Sequence, residues 1–373
     1  MRLPLSSSPL QVWAVEDTSI QLTWGSLPPG EITAWVGQAC VRGAHRGGPG
    51  ALDLLDLRPD TTYRIDVTWV GGRAQLEART LPSPPGEELC RLATVSDLHL
   101  GSDHWGASRL MVDRSGHEEP FPVRCARAAV TEAVEWGAEL LLIKGDAAHH
   151  QHEDDFQLVG DLVDGIDIPV MLIPGNHDVD GRGSGPTPAK VGSRGIAYVR
   201  DAVCVDLPGI RVIGADTTVP GHGPGSIERV GEDVLELASL GSSPFLLGLH
   251  HQLERFVVPT HYPVGIAGRS ARAFLERLTW TGTSGLITSG HTHRNRARRH
   301  GSLAVSEVAS TRDWPGVWAG YVVHEGGIRQ VVRRAVAADV IDWHEYSRRA
   351  LLGVWERWAA GPLHQRCFVH RWP

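Results

Sequence analysis

Leu140-Leu141-Leu142-Ile143-Lys144-Gly145-Asp146 and Val170-Met171-Leu172-Ile173-Pro174-Gly175-Asn176-His177-Asp178 share one design: an apolar run that stops at a glycine followed by polar, metal-binding side chains. A run of four or five apolar residues bounded by turn-formers reads as a strand buried on both faces. The same reading applies to Leu92-Ala93-Thr94-Val95 running into Asp97, to Phe245-Leu246-Leu247-Gly248-Leu249 running into His250, and to Leu286-Ile287-Thr288 running into Gly290-His291-Thr292-His293. Between them, Val123, Ala126, Val130 and Val134 fall at steps of three and four, which predicts a helix over about 122–137; a shorter helix is expected near 154–164. Buried strands alternating with helices predict an α/β (α+β) sheet covered on both faces.

Working outward, two hairpins are expected over about 295–308 and 320–334, and a long amphipathic helix near 340–360. The catalytic-type region then spans 91–334, with 335–373 as a C-terminal helix and tail packed on it. The front of the chain differs. Ile20, Leu22 and Trp24 alternate, as do Tyr63, Ile65, Val67 and Trp69, and turn-formers separate the runs, so residues 8–80 predict a small β-sandwich. Leu81-Pro82-Ser83-Pro84-Pro85-Gly86 opens a stiff linker over 81–90.

Composition narrows the function classes. The 373 residues are 42% hydrophobic and 21% charged, an ordinary globular balance, with a net charge of −7. That charge speaks against wrapping nucleic acid non-specifically, so no stable nucleic-acid binding is expected. No apolar run approaches the roughly 18–20 residues of a membrane span, and the first residues lack a signal-type apolar core. Five cysteines without a Cys-x-x-Cys pair predict free thiols in a reducing cytoplasm rather than a disulfide framework or thiolate zinc site. Lysine occurs only at Lys144 and Lys190, a bias that suggests a GC-rich bacterial coding sequence.

The decisive regularity is what ends the five strands: Asp97-x-His99, Asp146, Asn176-His177-Asp178, His250-His251 and His291-x-His293. Any one alone is an ordinary polar strand end or turn. Together, each behind an apolar strand, they predict side chains converging on one sheet edge, where ligands bind. Carboxylate, amide oxygen and imidazole suit manganese, iron or zinc. Asp-x-His and His-x-His place alternate residues on one side of an extended segment. Seven ligands exceed one tetrahedral ion and fit two ions sharing a carboxylate.

With these motifs assembled, Ser96-Asp97-Leu98-His99-Leu100-Gly101, Gly145-Asp146, Gly175-Asn176-His177-Asp178, Leu249-His250-His251 and Gly290-His291-Thr292-His293 resemble the calcineurin-like metallophosphoesterase superfamily over about residues 91–330. The resemblance implies a four-layer αββα sandwich with two metal ions between the sheets. It implies that Asp97, His99 and His293 hold one ion, Asn176, His250 and His291 the other, and that Asp146 bridges them, with His251 as the alternative to His250. It also implies hydrolysis of a phosphoester by a hydroxide generated between the cations, with His177 stabilising charge or protonating the leaving group. Leu57-Arg58-Pro59-Asp60-Thr61-Thr62-Tyr63 resembles the tyrosine corner of fibronectin type III domains, and Trp24 stands where that family keeps a core tryptophan.

One position departs from the superfamily. Many members carry an acidic residue three positions after the bridging aspartate, and purple acid phosphatases, whose plant members have a similar front domain, carry there a tyrosine that ligates iron. Here it is His149, which speaks against a tyrosinate–iron centre and leaves Asp178, Glu153, Asp154 or Asp155 as possible partners for His177. His149, Asn176 and His251 are candidate substrate contacts. His149-His150-x-His152 reads as a polar loop or as an accessory metal or substrate patch. His104, His117, His261 and the arginines 294, 296, 298 and 299 are weaker candidates, and Trp314 and Trp318 read as packing.

Three functions are open at this point. The Asp-x-His-Leu-Gly start and the Leu-His-His element resemble the bacterial class III cyclic-nucleotide phosphodiesterases, which points to a phosphodiester substrate, 3′,5′-cyclic nucleotides included. A phosphomonoesterase or nucleotide pyrophosphatase would use the same centre. A non-enzymatic binding scaffold is disfavoured, because every ligand position is filled. Metal identity and oligomeric state are not legible.

Overall fold

A computed structural model of the chain describes residues 9–106, 111–192, 196–259 and 262–373. The buried apolar runs are strands at Glu88–Val95, Leu141–Lys144, Val170–Ile173, Phe245–Gly248 and Gly285–Ser289. The first three run parallel to one another in a seven-stranded sheet; the last two run parallel in a six-stranded one. The two sheets face each other, and alternate residues of each strand serve different cores. Leu142, Met171 and Ile173 meet Val212, Leu246 and Leu286 between the sheets. Leu141, Ile143 and Leu172 point outward onto the helices Phe121–Glu135 and Glu153–Asp164 through Cys125, Ala129, Phe156 and Val159. Phe245, Leu247 and Ile287 do the same onto Gly231–Ser239 and Gly268–Trp280 through Val234, Phe274 and Leu278. This is the expected helix–sheet–sheet–helix stack. Both expected hairpins form, as Arg296–His300 with Leu303–Glu307 and as Val317–His324 with Gly327–Arg334.

The front of the chain is a β-sandwich of a three-stranded and a four-stranded antiparallel sheet. Trp24 is buried in its core with Leu22, Ile32, Ala34, Ile65 and Val67. The Tyr63 hydroxyl accepts the Arg58 backbone N–H at 2.7 Å, which is the hydrogen bond of a tyrosine corner. The expected linker is shorter than its sequence suggested, since the strand of the large sheet already begins at Glu88.

The expected long helix near 340–360 does not form. The segment breaks into Ile341–Ser347, a tight turn at Ala350–Gly353 and Val354–Ala360. Leu351, Leu352 and Gly353 have φ of 50°, 57° and 84°, a left-handed run that an α-helix cannot contain. The break redirects the chain so that Phe368–Arg371 can pair with Gly327–Arg334 as the edge strand of the seven-stranded sheet.

This C-terminal segment also holds the sandwich. Arg366 lies 4.0 Å over the buried Trp13 ring and donates to the Trp13 carbonyl through Nε and Nη2 at 3.1 and 2.8 Å. Trp13 meets Trp314 edge-on at 5.9 Å. Glu16 accepts Arg333 at 2.8 Å, and Gln21 exchanges hydrogen bonds with the Arg334 backbone. Buried ion pairs and a shared apolar core bind the two parts as one unit. Removing the Trp13 ring should therefore cost about 3–5 kcal/mol, the range for emptying a large aromatic site. Urea unfolding of Trp13→Ala should show this loss, and the wild type should unfold in a single transition; separate sandwich and catalytic transitions would contradict the shared core.

Candidate metal centre

The strand ends converge because the parallel strands of both sheets point the same way. What then aims the side chains is the backbone. Asp97, His99, Asp146, His291 and His293 have φ of 56°, 46°, 51°, 68° and 50°; they are five of the nine non-glycine residues with positive φ among those described. The Asp-x-His and His-x-His segments are thus not extended, as expected from the sequence, but left-handed turns beyond the strands. Left-handed non-glycine residues cost of order 1–3 kcal/mol each and gather at functional sites. Backbone hydrogen bonds hold these turns: Asp97 N–H to Gly145 O at 3.0 Å, His99 N–H to Asp146 O at 2.8 Å and Gly290 N–H to His250 O at 3.0 Å.

All seven expected ligands meet. Asp97 Oδ1 lies 3.4 Å from His293 Nε2, and Asp146 Oδ2 lies 3.6 Å from His99 Nε2. The same Asp146 oxygen lies 3.4 Å from His250 Nε2. Around His250 Nε2 stand Asn176 Oδ1 at 3.3 Å and His291 Nδ1 at 3.2 Å. Asp146 therefore stands between a pole made of Asp97, His99 and His293 and a pole made of Asn176, His250 and His291. Metal-type triads occur at the first pole in Asp97–His99–His293, at the second in His250–His251–His291, and across the bridge in Asp97–Asp146–His250.

The donor set fits cations. Each histidine commits one ring nitrogen to a fixed partner and turns the other toward the cluster, as metal-binding imidazoles do. His250 Nδ1 donates to Lys144 O at 2.8 Å, His291 Nε2 to Val264 O at 3.2 Å and His293 Nδ1 to Asp313 Oδ2 at 2.6 Å. His99 Nδ1 faces His149 Nδ1 at 3.2 Å, while its buried Nε2 has no hydrogen-bond partner. Position 145 must be glycine, since a Cβ there would stand 2.4 Å from His250 Nδ1.

Electrostatics points the same way. Burial opposes charge on His250 and His293. The Asp146 carboxylate nevertheless pushes His250 up to about 9, and Asp313 and Asp97 push His293 up to about 10. The potential that draws protons onto these rings is the one that would draw metal cations in their place. Burial, with His250 beside it, pushes His291 down to about 4, so it stays a neutral donor. Burial, then the nearby Arg312 guanidinium, hold His99 well below its usual range and push His149 down to about 3.

Several expectations need correction. None of Asp178, Glu153, Asp154 or Asp155 serves as the partner of His177. Asp178 accepts the backbone N–H groups of Gly175, Ala147 and Ala148 and so ties the two key loops together. Glu153 and Asp154 face solvent, and Asp155 accepts the His150 N–H. The His177 Nδ1 instead donates to the His149 carbonyl at 2.9 Å, with the two rings stacked at 5.4 Å. His251 has both nitrogens engaged, by Thr217 Oγ1 at 2.9 Å and Gly223 O at 3.1 Å, which leaves it none for substrate. Arg294 pairs with Glu307, whereas Arg296, Arg298 and Arg299 lie on the strand Arg296–His300, where Arg298 and Arg299 each donate to a backbone carbonyl, of Leu253 and Val369. His104 packs beside His149 at 6.0 Å, while His117 is exposed. His261 lies outside the described residues. Trp314 and Trp318 are buried, as packing requires.

Four contributors are not among the expected site residues, two inside the quoted motifs (Ser96 and Lys144) and two outside any motif (Arg312 and Asp313). Ser96 Oγ donates to Asp97 Oδ2 at 2.6 Å. Lys144 is fully buried, with its ammonium on Thr288 Oγ1 at 3.1 Å and Ser289 O at 2.9 Å, a clasp between the two sheets. Asp313 orients His293, and Arg312, buried and bonded to Ser102 Oγ at 3.0 Å, sets the charge beside His99. Of these, only Asp313 and Arg312 are brought to the cluster by the tertiary fold alone. Replacing Asp313 by Asn removes the charge behind His293 at nearly constant shape. It should lower metal affinity or activity by roughly 10–100-fold; a manganese titration showing wild-type affinity would exclude that role.

With the geometry in place, comparisons with known proteins agree. Residues 90–295 match the model of the Calcineurin-like phosphoesterase family. The chain is 25% identical over 231 residues to the 3′,5′-cyclic adenosine monophosphate phosphodiesterase CpdA of Pseudomonas aeruginosa, covering 61% of this chain and 79% of that protein. It is 26% identical over 245 residues to a Synechococcus protein named "Probable cyclic nucleotide phosphodiesterase", covering 62% of this chain and 85% of that one. A dimetal phosphatase from Danio rerio superposes with a TM-score of 0.51 at 14% identity, over 67% of this chain and 98% of that one, a likeness of fold. From the strand-end motifs, the two-pole cluster and the family match, the chain is a metal-dependent phosphoesterase and belongs to the calcineurin-like phosphoesterase family.

Proposed function

We propose that the protein hydrolyses a phosphodiester, with 3′,5′-cyclic nucleotides as the leading substrate class, at a centre of two metal ions drawn from manganese, iron and zinc. The observation that carries the centre is Asp146 Oδ2, within 3.4 and 3.6 Å of imidazole nitrogens belonging to opposite poles. The diester preference is supported by the two cyclic-nucleotide phosphodiesterases to which the chain is similar.

In this reading Asp97, His99 and His293 would hold one ion and Asn176, His250 and His291 the other, with Asp146 available to both. Such ions, when bound, would supply Lewis acidity, activating a water and neutralising phosphoryl oxygens. The chain's own groups do the rest. Asp313, Lys144 O and Val264 O fix the orientation of three imidazoles before substrate arrives. The His177 backbone N–H, donating to Asp146 Oδ1 at 2.9 Å, ties that residue to the bridging carboxylate. A carbonyl only accepts, so the His149 carbonyl keeps a proton on His177 Nδ1. His177 Nε2 is then a bare acceptor in the neutral ring and a donor in the imidazolium. As imidazolium, His177 gives its Nε2 proton to the departing oxygen and keeps the Nδ1–H on the loop.

Three outcomes follow. Manganese-loaded protein should cleave bis(p-nitrophenyl) phosphate, and Asp146→Ala or Asn176→Ala should abolish turnover with the circular dichroism unchanged; turnover surviving both changes would remove the metal mechanism. The wild type should show a higher kcat/KM for a diester than for the matching monoester, and the reverse order would make it a monoesterase on the same centre. His177→Ala should lower kcat about 10²–10⁴-fold on a cyclic nucleotide, the usual worth of a general acid. The loss should be smaller on p-nitrophenyl esters, whose leaving group needs no proton; equal losses would exclude proton donation.

A further inference from the structure

Outside the catalytic cluster, a second group of metal-binding side chains stands on the loop that follows Asp146. The ligand atoms of His150, His152 and Asp155 all lie within 4.8 Å of one another. His150 Nδ1 is 3.4 Å from Asp155 Oδ2, and the His150 and His152 rings stack at 5.1 Å and 19°. The three belong to neither pole of the catalytic centre.

The carboxylate of this group is built in. Asp155 is only 7% exposed, and its Oδ2 accepts the His150 N–H at 2.8 Å. Its other oxygen sits against Gly101, with φ of 93°, where a Cβ would come within 1.9 Å of it. The turn that carries Asp97 and His99 thus makes room for this carboxylate. The two imidazoles are exposed and reach it from the solvent side. Glu153 and Asp154, exposed in the same first turn of the helix, add negative charge. A carboxylate and two imidazoles at this spacing match the ligand set of a zinc site that keeps a fourth position for water or another ligand.

The group also has a defined place relative to the catalytic cluster. Ring centroids run from His152 to His150 at 5.1 Å, from His150 to His149 at 4.3 Å, and from His149 to His177 and His99 at 5.4 and 5.3 Å. A row of imidazoles therefore leads from the surface to the centre. We propose that His150, His152 and Asp155 form a third divalent-cation site, of zinc type, at the outer end of this row.

The test is metal stoichiometry in the full chain, stripped of metal and reloaded with Zn²⁺, followed by calorimetry and elemental analysis. The wild type should take up one more equivalent than His150→Ala/His152→Ala, and that double variant should keep its phosphoesterase activity. His152→Asn places a good capping residue at the start of the helix and so preserves the fold; it should weaken the extra equivalent by about tenfold or more. Asp146→Asn should lose inner binding while keeping the outer equivalent, which separates this site from the catalytic reading. Equal zinc uptake by the wild type and both histidine variants would overturn the proposal.

Discussion

The structure depends on two carboxylates, Asp97 and Asp146, buried at 0% and 3% exposure where the two sheets meet. Buried charge of one sign is costly unless it is paired. The fold answers by surrounding the pair with His99, His250, His291 and His293: burial and Arg312 hold His99 low, burial and His250 hold His291 low, and the carboxylates raise His250 and His293. Burial raises Asp97, but the His293 beside it brings the carboxyl down to about 2. Asp178 is pushed up to about 6 by burial and by Asp146 close by, against the backbone N–H groups it accepts, and serves as a brace between loops. Position within a few ångströms decides which acid is available to a cation and which is spent on the backbone.

Everything around this cluster serves rigidity. Parallel strands end at one edge, left-handed turns fold the ligands inward, and Lys144 clasps one sheet to the other. The C-terminal chain closes the edge of the large sheet and grips the front sandwich through Arg366 and Trp13. A site whose ligands must be held to fractions of an ångström needs support of this kind. The sandwich packs on the sheet whose strands lead to Asp97 and Asp146, through Glu16 on Arg333 and Gln21 on the Arg334 backbone.

Much of this was legible in the sequence because burial and chemistry coincide there. An apolar strand that stops at Gly-Asp or Gly-Asn-His-Asp declares both its environment and its cargo. Tyr63 and Trp24 announced the sandwich by position alone. What escaped lies in long-range contacts and backbone conformation. The ligand turns at Asp97 and His291 looked extended because alternate polar residues mark strands, yet their backbones are left-handed. The 340–360 segment has helical spacing, but the edge strand at Phe368–Arg371 requires the chain to turn at Leu351-Leu352-Gly353. His177 was expected to need an acid, whereas a carbonyl fixes its tautomer equally well. Asp313 and Arg312 follow an apolar strand without any motif of their own.

Asp146 as a bridge between two cations is the centre of this account. Anomalous diffraction from crystals of the manganese-loaded protein tests it most directly. Two anomalous peaks flanking the Asp146 carboxylate, one contacting Asp97, His99 and His293 and the other Asn176, His250 and His291, are the predicted result. A single peak, or ions bound away from Asp146, would contradict it.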